Sequence, residues 1–397
     1  MKNIVKIITI FLLFFTLNVK ALEFDITSKN AILYNLDSNE VLYEKLSDEK
    51  VQIASLTKLM TALITVENVD DINRQIIITS EDLRGLTEKN LVTAGFTLGQ
   101  SVTYKDLLYG LLLPSGADAA TALSRNVSDT FIDLMNEKAV KLKMNSTHFS
   151  NVIGLDDENN YSTAKDLSIL YKEVLKSDIL KEIITSKEYT TSDGSLTFKS
   201  TISRNANKYG IDVHYILGGK TGTTDGAGLC LASIASENEV NYMLITLGAI
   251  YDKKAPHHIE DAKVIYDYFI QNYSNQKIVD KTVSYKTLKT KYLKEDKIKL
   301  YPKEDIVKYL PNNYDKNDVK YKYDGVEEVD IFTNKKLGEL KIYYKDELIN
   351  TQKVKLNTKI HFDLFKFLKG NIIYILAIIT ILFIIIKILL RKKSIKK

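Results

Sequence analysis

Short apolar runs and longer stretches with helical spacing alternate through the first two thirds of the chain. Runs such as "AILYNL" and "YMLITLGAI" are typical of strands, whereas "KLMTALITVEN" and "KDLLYGLLL" repeat apolar residues at the spacing of a helix face. The pattern predicts an α/β or α+β domain over residues 23–275.

Local signals mark several element ends within this domain. In "TYKD", Thr103 stands three residues before Asp106, which predicts a capping box at the start of a helix. "STAKDL" predicts a second helix that starts at Ser162 or Thr163. The glycines of "GGKTGTTDGAG" predict a strand edge with a tight turn.

After about residue 276 the sequence pattern changes to short alternating runs rich in Lys, Tyr, Val and Ile. "KIYYKDELINTQKVKL" predicts a hairpin that turns near Lys345 and Asp346. We therefore expect a small β domain over residues 276–356, followed by a stalk over residues 357–370.

Both ends of the chain contain apolar segments. Residues 1–21 combine a basic start with a short apolar centre and a final alanine, which is typical of a signal peptide. Residues 371–390 form a nearly unbroken apolar stretch of 20 residues, the length of a transmembrane helix. The tail 391–397, "RKKSIKK", is basic and predicts a cytoplasmic end, so we expect an outward-facing body with a C-terminal anchor in the cell membrane.

The net charge of +5 comes from the two ends. Residues 1–21 contain three basic residues, the part from residue 371 onward contains six, and neither segment contains an acidic residue. Of the 55 basic residues, 46 therefore lie in the body between the two ends, together with all 50 acidic residues. This near-neutral body predicts no nucleic-acid partner. The single cysteine, Cys230, excludes a disulfide within the chain.

Ser55 and Lys58 stand three residues apart in "SLTK", at the start of a helical run. Residues at this spacing share one face of a helix, and a lysine whose pKa is lowered can serve as the base for a serine nucleophile. The spacing S-x-x-K also occurs by chance, and serine is a good helix N-cap, so the pair alone leaves both interpretations open. The chain has five histidines but contains neither a G-x-S-x-G nor an H-E-x-x-H motif. A histidine-based hydrolase or a zinc peptidase therefore finds little support.

Two further motifs change this balance. "LLLPSGADAA" places Ser115 just after an apolar helix, and "ILGGKTGTT" places Lys220, Thr221 and Gly222 at the end of a strand. S-x-x-K, an S-x-N element and K-T-G, in this order, form the signature of penicillin-binding proteins and class A β-lactamases.

The chain resembles the low-molecular-weight penicillin-binding proteins that act as D-alanyl-D-alanine carboxypeptidases. The resemblance covers residues 23 to about 270 and includes "NVIGLDDENNYSTAKDLS" beside the three motifs. It implies an α+β fold of the β-lactamase/transpeptidase type, with an antiparallel sheet flanked by helices, an active site between sheet and helical region, and a β-rich domain behind it.

The resemblance also implies catalytic roles. Ser55 is the expected acylated nucleophile, Lys58 its general base, and Ser115 the proton relay to the leaving amine. Lys220 is expected to keep Lys58 neutral through its positive potential and to engage the substrate.

The remaining substrate contacts lie in the same K-T-G segment. Thr221 is expected to hydrogen-bond the terminal carboxylate, and Gly222 allows the backbone to approach the substrate. The backbone N–H groups of Ser55 and Thr223 are expected to form an oxyanion hole.

The chain departs from the family pattern at two places. Ala117 stands where the second motif usually ends in Asn, and we expect the neighbouring Asp118 to have a structural role instead. His258, or His257 with a one-residue shift, aligns with an arginine that helps to bind the carboxylate, and a histidine there is a weaker, pH-dependent partner. In class A β-lactamases an E-x-x-L-N element supplies the carboxylate for deacylation. The chain has no such element between Ser115 and Lys220, which predicts slow release of penicillin.

We therefore expect a serine D-Ala-D-Ala carboxypeptidase that acts on peptidoglycan stem peptides, is acylated by β-lactams and uses neither a metal nor an organic cofactor. Two alternatives remain open. One is an endopeptidase that cleaves peptidoglycan cross-links, and the other is a wall-binding protein with impaired catalysis, suggested by Ala117 and the missing arginine.

Overall fold

The computed structural model describes residues 22–333 and 335–394, which form two compact units divided between Gln271 and Asn272. The predicted signal peptide and the last three residues of the basic tail lie outside the described residues.

The first unit is a mixed α and β structure. Its strands are β1 (Asn30–Asn35), β2 (Glu40–Lys45), β3 (Val51–Gln52), β4 (Gln75–Ile77), β5 (Ser101–Thr103), β6 (Tyr161–Ser162), β7 (Glu188–Thr190), β8 (Thr197–Lys199), β9 (Ile216–Thr224), β10 (Gly228–Glu237) and β11 (Val240–Ala249). Its helices are α1 (Thr57–Asn68), α2 (Tyr104–Leu112), α3 (Ala117–Val127), α4 (Phe131–Lys141), α5 (Ala164–Val174), α6 (Asp178–Thr185), α7 (Thr201–Tyr209) and α8 (His257–Asn272).

The main sheet of this unit is antiparallel, with the strand order β2-β1-β11-β10-β9. The long apolar runs of β10 and β11 lie inside the sheet and are buried along almost their whole length. β9, which contains the K-T-G segment, is an edge strand, so one side of its backbone is not paired within the sheet.

Helices cover both faces of the sheet. On one face the Tyr266 hydroxyl of α8 lies 3.0 Å from Ser233 Oγ of β10. On the other face Ser168 of α5 hydrogen-bonds the Tyr34 hydroxyl of β1. The register pairs Lys220 with Ala232 and Gly222 with Cys230, so these K-T-G residues lie on the second face, where the helical region packs.

The capping signals predicted from the sequence are confirmed. The Thr103 hydroxyl accepts a hydrogen bond from the Asp106 N–H and the Asp106 carboxylate accepts one from the Thr103 N–H, which together begin α2. Thr163 is the N-cap of α5. These caps fix the starts of two helices that surround α1.

The second unit is a β module followed by a long helix. Its elements are β12 (Tyr273–Val279), β13 (Lys286–Thr290), β14 (Lys297–Leu300), β15 (Ile306–Pro311), β16 (Val319–Gly325), β17 (Glu328–Val329), β18 (Lys336–Tyr344), β19 (Glu347–Lys355) and α9 (Leu364–Ser394). The predicted hairpin is present, because β18 and β19 pair around Lys345 and Asp346, which both have positive φ. Two small apolar clusters, one around Ile342 and one around Leu288, form the interior of the module.

The C-terminal helix is longer than the predicted membrane segment. α9 starts at Leu364, seven residues before the expected start at residue 371, so part of the expected stalk is helical. Its apolar portion, Leu364–Arg391, is 28 residues long and, by length and composition, long enough to cross a membrane.

Candidate active site

Ser55 lies in a short 3-10 turn, Ala54–Leu56, that leads directly into α1. The preceding residue, Ala54, has a φ of 47°, a left-handed conformation that costs energy for a residue with a Cβ. Such strain persists only where surrounding contacts enforce it, and it often marks a functional site. The turn directs Ser55 away from the apolar interior that holds Leu56.

Lys58 lies one helical turn after Ser55 and is almost completely buried, with 1% of its surface exposed. Its Nζ lies 2.8 Å from Ser55 Oγ and 2.7 Å from the backbone oxygen of Ile153. Burial lowers the pKa of Lys58 to about 7, against a smaller opposing effect of the Asp118 charge. A large fraction of this amine is therefore neutral near pH 7 and able to accept a proton from the serine hydroxyl.

The loop that supplies the Ile153 oxygen is held by Asn151. The Asn151 Oδ1 accepts hydrogen bonds from the N–H groups of Ile153, Gly154 and Leu155. Gly154 has a φ of +88°, and a Cβ at this position would lie 2.0 Å from the backbone oxygen of Ala54. This close approach requires glycine and places the loop directly against the turn that contains Ser55.

Ser115 lies in the sharp turn between α2 and α3, with a φ of 72°. The Gly116 N–H donates to the Gly110 oxygen and the Ala117 N–H donates to the Val92 oxygen, which together fix this turn. The Ser115 hydroxyl lies 2.7 Å from Lys220 Nζ. The structure thus brings the second and third sequence motifs into contact.

Asp118 has the structural role expected from its position in the sequence. It is fully buried, and its carboxylate accepts hydrogen bonds from the backbone N–H groups of Ala94, Gly95 and Phe96 at 2.7, 2.9 and 3.1 Å. Because these bonds satisfy a buried charge, Asp118 ties residues 94–96 to the turn that contains Ser115.

Lys220 of β9 is completely buried, and its Nζ also lies 2.6 Å from the backbone oxygen of Thr221. Burial holds the pKa of Lys220 well below its usual range, and the charge of Lys58 lowers it further. The two buried lysines therefore influence one another, and protonation of one disfavours protonation of the other.

The rest of the K-T-G segment lies next to the nucleophile. A Cβ on Gly222 would lie 3.1 Å from the backbone nitrogen of Ser55, so β9 passes the 3-10 turn at contact distance. Thr223 follows with an exposed side chain. The Thr221 hydroxyl donates to Thr201 Oγ1 of α7 at 2.8 Å.

The expectation for His258 does not fit its position. His258 is 2% exposed and neither ring nitrogen has a hydrogen-bond partner within the part of the chain that the structure describes. Burial lowers its pKa to about 4, with the charge of His257 acting in the same direction, so its ring is neutral at pH 7 and cannot attract a carboxylate by charge.

His257, the alternative, is more accessible but already paired. Its Nδ1 lies 2.8 Å from Glu260 and its Nε2 lies 3.3 Å from Asp252. Burial opposes protonation, but these two carboxylates outweigh it and raise the pKa of His257. Its positive charge is thus balanced within α8 and the preceding loop.

Sequence reasoning did not single out Asn151 or Thr201. Asn151 lies in a stretch quoted for the family resemblance, which was the available signal, whereas Thr201 belongs to no motif. Among residues 22–333 and 335–394, no group of three His, Cys, Asp or Glu side chains forms a candidate metal site.

Comparison with known sequences identifies relatives over most of the chain. The D-alanyl-D-alanine carboxypeptidase DacF of Bacillus subtilis is 30% identical over 304 residues, covering 74% of this chain and 75% of that protein. A D-alanyl-D-alanine endopeptidase of Pseudomonas aeruginosa is 29% identical over 239 residues, covering 57% of this chain and 73% of that protein.

Solved structures of the same fold extend this likeness. The Streptomyces K15 DD-transpeptidase, 27% identical, superposes with a TM-score of 0.56 over 62% of this chain and 98% of its own. Penicillin-binding protein 5 of Haemophilus influenzae, 21% identical, superposes with a TM-score of 0.61 over 86% of this chain and 99% of its own, and shows a similar overall fold.

The family comparison agrees with the geometry. Residues 17–250, more than half of the chain, match the family described as D-alanyl-D-alanine carboxypeptidase. This stretch includes the 3-10 turn, the Ser115 turn and β9, which the structure brings together. The chain therefore belongs to the D-alanyl-D-alanine carboxypeptidase family of serine peptidases.

Proposed function

We propose that the chain removes the terminal D-alanine of peptidoglycan stem peptides through an acyl-enzyme on Ser55. The observation that supports this most strongly is the 2.8 Å contact between Ser55 Oγ and the Nζ of a buried lysine whose pKa is lowered to about 7. A wall-binding protein with impaired catalysis would have no need for such a pair, and this disfavours that alternative.

In the first step Lys58 takes the hydroxyl proton while Ser55 Oγ attacks the carbonyl carbon between the two D-alanines. The negative charge that develops on the carbonyl oxygen is stabilised by the backbone N–H groups of Ser55 and Thr223. The approach of Gly222 to Ser55, so close that a Cβ would lie only 3.1 Å from the Ser55 nitrogen, supports this assignment, because it brings the two backbone segments together.

The substrate carboxylate binds beside Lys220 and Thr221. A carboxylate brought close to the buried Lys220 favours its ammonium form, and the resulting positive charge then keeps Lys58 neutral. Binding of the correct, carboxylate-bearing substrate thereby prepares the general base. The free edge of β9 can pair with the substrate backbone as an additional strand.

Collapse of the tetrahedral intermediate breaks the C–N bond and releases D-alanine, whose amine receives the proton from Lys58 through Ser115. The 2.7 Å contact between Ser115 and Lys220 supports this relay, since it holds the hydroxyl at the site. Water then attacks the acyl-enzyme, with Lys58 again as base, and regenerates Ser55. A β-lactam also combines a carboxylate with a reactive amide, so we expect it to acylate Ser55 and to leave slowly.

The helix α9 fits a membrane anchor, and we infer that the catalytic unit faces outward from the cell. The basic tail 391–397 and the signal-like start of the chain support this orientation. Protease treatment of intact cells tests it, because an outward-facing catalytic unit is removed whereas an inward-facing one is protected.

The activity is tested by adding a peptide that ends in D-Ala-D-Ala to the full chain and measuring free D-alanine. We expect release by the native chain, none above background by Ser55→Ala, and native release by Ser274→Ala, a serine with the same S-x-x-K spacing in the β module. Equal release by the native chain and Ser55→Ala would refute the proposal.

Endopeptidase action is the second candidate, since one relative is an endopeptidase and both reactions share the acyl-enzyme. Cross-linked peptide dimers distinguish the two. A chain that cleaves dimers faster than it releases D-alanine is primarily an endopeptidase, and we expect the opposite order.

A further inference from the structure

An exposed apolar loop, residues 330–333, stands out in the β module. Phe332 is 83% exposed and the neighbouring Ile331 is 39% exposed. We call this segment the tip loop. Two adjacent exposed apolar side chains rimmed by polar residues are typical of a small interaction site.

The tip loop is a formed turn rather than a loose segment. The Asp330 N–H donates to the Thr333 hydroxyl, while the Phe332 N–H and the Thr333 hydroxyl both donate to Asp330 Oδ1. The two apolar side chains are therefore presented by a backbone that is already ordered, which lowers the entropic cost of binding.

Strand pairing places the tip loop beside the start of α9. β17 runs parallel to β13, with Thr290 opposite Val329, so the residues that follow both strands lie at the same end of the module. The Lys291 N–H donates to the Val329 oxygen, which joins the tip loop to the turn 291–296.

The same turn holds the first turns of α9. Lys366 Nζ donates to the Leu293 oxygen and to Asp296, and the ring of Phe367 packs edge-on against Tyr292 at 5.1 Å between centroids. The tip loop and the start of α9 thus flank one turn.

The length of α9 places that turn near the bilayer surface. The 28-residue span Leu364–Arg391 is about 42 Å long, more than the roughly 30 Å hydrocarbon core of a bilayer, so its first turns, which carry Lys366 and Lys369, lie in the headgroup layer. Lys366 precedes the continuous apolar stretch that starts at residue 371 by five residues, about 7.5 Å along the helix.

The charges at this end of the module suit an anionic surface. Lys294, Lys335 and Lys359 are exposed there. Four nearby acidic groups are engaged by the protein. Glu295 pairs with His361, Asp296 pairs with Lys366, and the carboxylates of Asp330 and Asp363 accept hydrogen bonds from their own turns. Free positive charge beside an exposed aromatic residue is typical of a membrane-interface contact.

We propose that Ile331 and Phe332 insert into the headgroup layer of the bilayer that α9 enters, so that the β module contacts the membrane at a second point beside its anchor. The proposal rests on the membrane anchoring described under the proposed function. It assigns the exposed tip loop to anionic phospholipid rather than to a protein partner.

The chain contains no tryptophan, so a single introduced tryptophan reports its own surroundings. The full chain is reconstituted into vesicles of phosphatidylglycerol and phosphatidylcholine, with and without brominated acyl chains. Three variants are compared: Phe332→Trp in the tip loop, Leu348→Trp in the exposed β19 start at the far end of the β18–β19 hairpin, and Ile378→Trp inside α9.

We expect Trp emission at position 332 to be blue-shifted and quenched by bromolipid, emission at position 378 to be quenched more strongly, and emission at position 348 to remain unquenched. If the tryptophan at 378 is quenched while those at 332 and 348 show the same emission and no quenching, the tip-loop proposal is overturned and the anchor remains. Absence of quenching at 378 would overturn the anchor and this proposal with it.

A second variant removes the dependence on tryptophan. In Phe332→Ser the apolar tip is lost, and we expect the amide hydrogens of residues 330–333 to exchange at the same rate with and without vesicles. In the native chain, vesicles should slow this exchange, and equal rates there would contradict the proposal.

Discussion

At the scale of single residues, burial distinguishes the reactive S-x-x-K pair from its copies. The same spacing occurs at Ser47, Ser162, Ser274 and Ser394, and the lysines that follow the first three of these serines are exposed, whereas Lys58 is buried. An exposed lysine keeps its proton at pH 7 and cannot act as a base. The spacing alone did not single out Ser55 as the proposed nucleophile, and the order of the three motifs was needed.

The lowered pKa of Lys58 predicts the pH dependence of acylation. The amine acts as a base only when neutral, so the acylation rate of Ser55 by a labelled penicillin should rise about tenfold per pH unit below pH 7 and reach a plateau above it. A lysine with an ordinary pKa would instead give a rate that still rises between pH 8 and 10. The rate is measured by quenched-flow labelling from pH 5 to 10.

The buried charge of Asp118 predicts a second effect on the same profile. Asp118 raises the pKa of Lys58, so Asp118→Asn should move the midpoint to lower pH while keeping an oxygen for the backbone N–H groups. Asp118→Ala removes the acceptor of three backbone N–H groups, of which that of Phe96 is buried, and should lower the free energy of unfolding by about 3 kcal/mol. A midpoint that stays fixed in Asp118→Asn would contradict the electrostatic coupling.

Some candidate site residues could be predicted because they stand in motifs of short spacing, namely Ser55, Lys58, Ser115 and Lys220. The position of His258 could not, since two adjacent histidines begin α8 and only the packing of this helix decides which one is buried. The contacts around Ala117 also could not be predicted from the sequence. The structure buries Ala117 completely and leaves the contacts in this turn to its backbone N–H and to Asp118.

At the scale of elements, the site depends on the contact of the loop 151–155 with the 3-10 turn that contains Ser55. The loop supplies the Ile153 oxygen to Lys58, and its close approach is possible because Gly154 has no side chain. Short-range signals predicted the capping box, the α5 cap and the β18–β19 hairpin correctly. The loop contact joins residues almost 100 positions apart, and no local pattern reports it.

Two glycines with similar backbones provide a matched test of this contact. Gly154 and Gly194 both have positive φ, of +88° and +71°, but a Cβ on Gly194 meets nothing within 4 Å. Both alanine variants should lose about 1 kcal/mol of stability from backbone strain, and Gly154→Ala should lose more, because its Cβ would lie against the Ala54 backbone oxygen. Gly154→Ala should in addition slow acylation of Ser55 by about 100-fold, because a displaced catalytic group costs rate steeply.

Stability and labelling rate are measured together for the two variants. If Gly154→Ala and Gly194→Ala acylate equally fast, the loop contact does not position the reactive pair.

At the scale of the whole molecule, the chain has separate apolar interiors in its two compact units. The change in composition near residue 276 predicted a second domain, and the length and composition of residues 371–390 predicted a helix long enough to cross a membrane. The start of α9 at Leu364 was missed because residues 364–370 contain charged residues, which suit a helix in the headgroup layer as well as they suit a stalk.

Separate interiors predict separate effects of core substitutions. Leu340 is fully buried in the β module, and Leu340→Ala should destabilise that unit by about 2 to 5 kcal/mol while the acylation rate at 25 °C stays native. The matched variant Leu59→Ala, in the helix behind Ser55, should reduce both stability and acylation. Calorimetry and penicillin labelling check the pair, and a loss of acylation in folded Leu340→Ala would show that catalysis depends on the module.

Ser55 is the proposed nucleophile and Lys58 its proposed base. The most direct test is to label the full chain with penicillin at pH 7.5 and map the adduct by mass spectrometry, with Ser55→Ala, Lys58→Arg and Ser274→Ala in parallel. We predict one adduct, on Ser55, in the native chain and in Ser274→Ala, and none in the other two. An adduct on another residue, or native labelling of Ser55→Ala, would contradict the account.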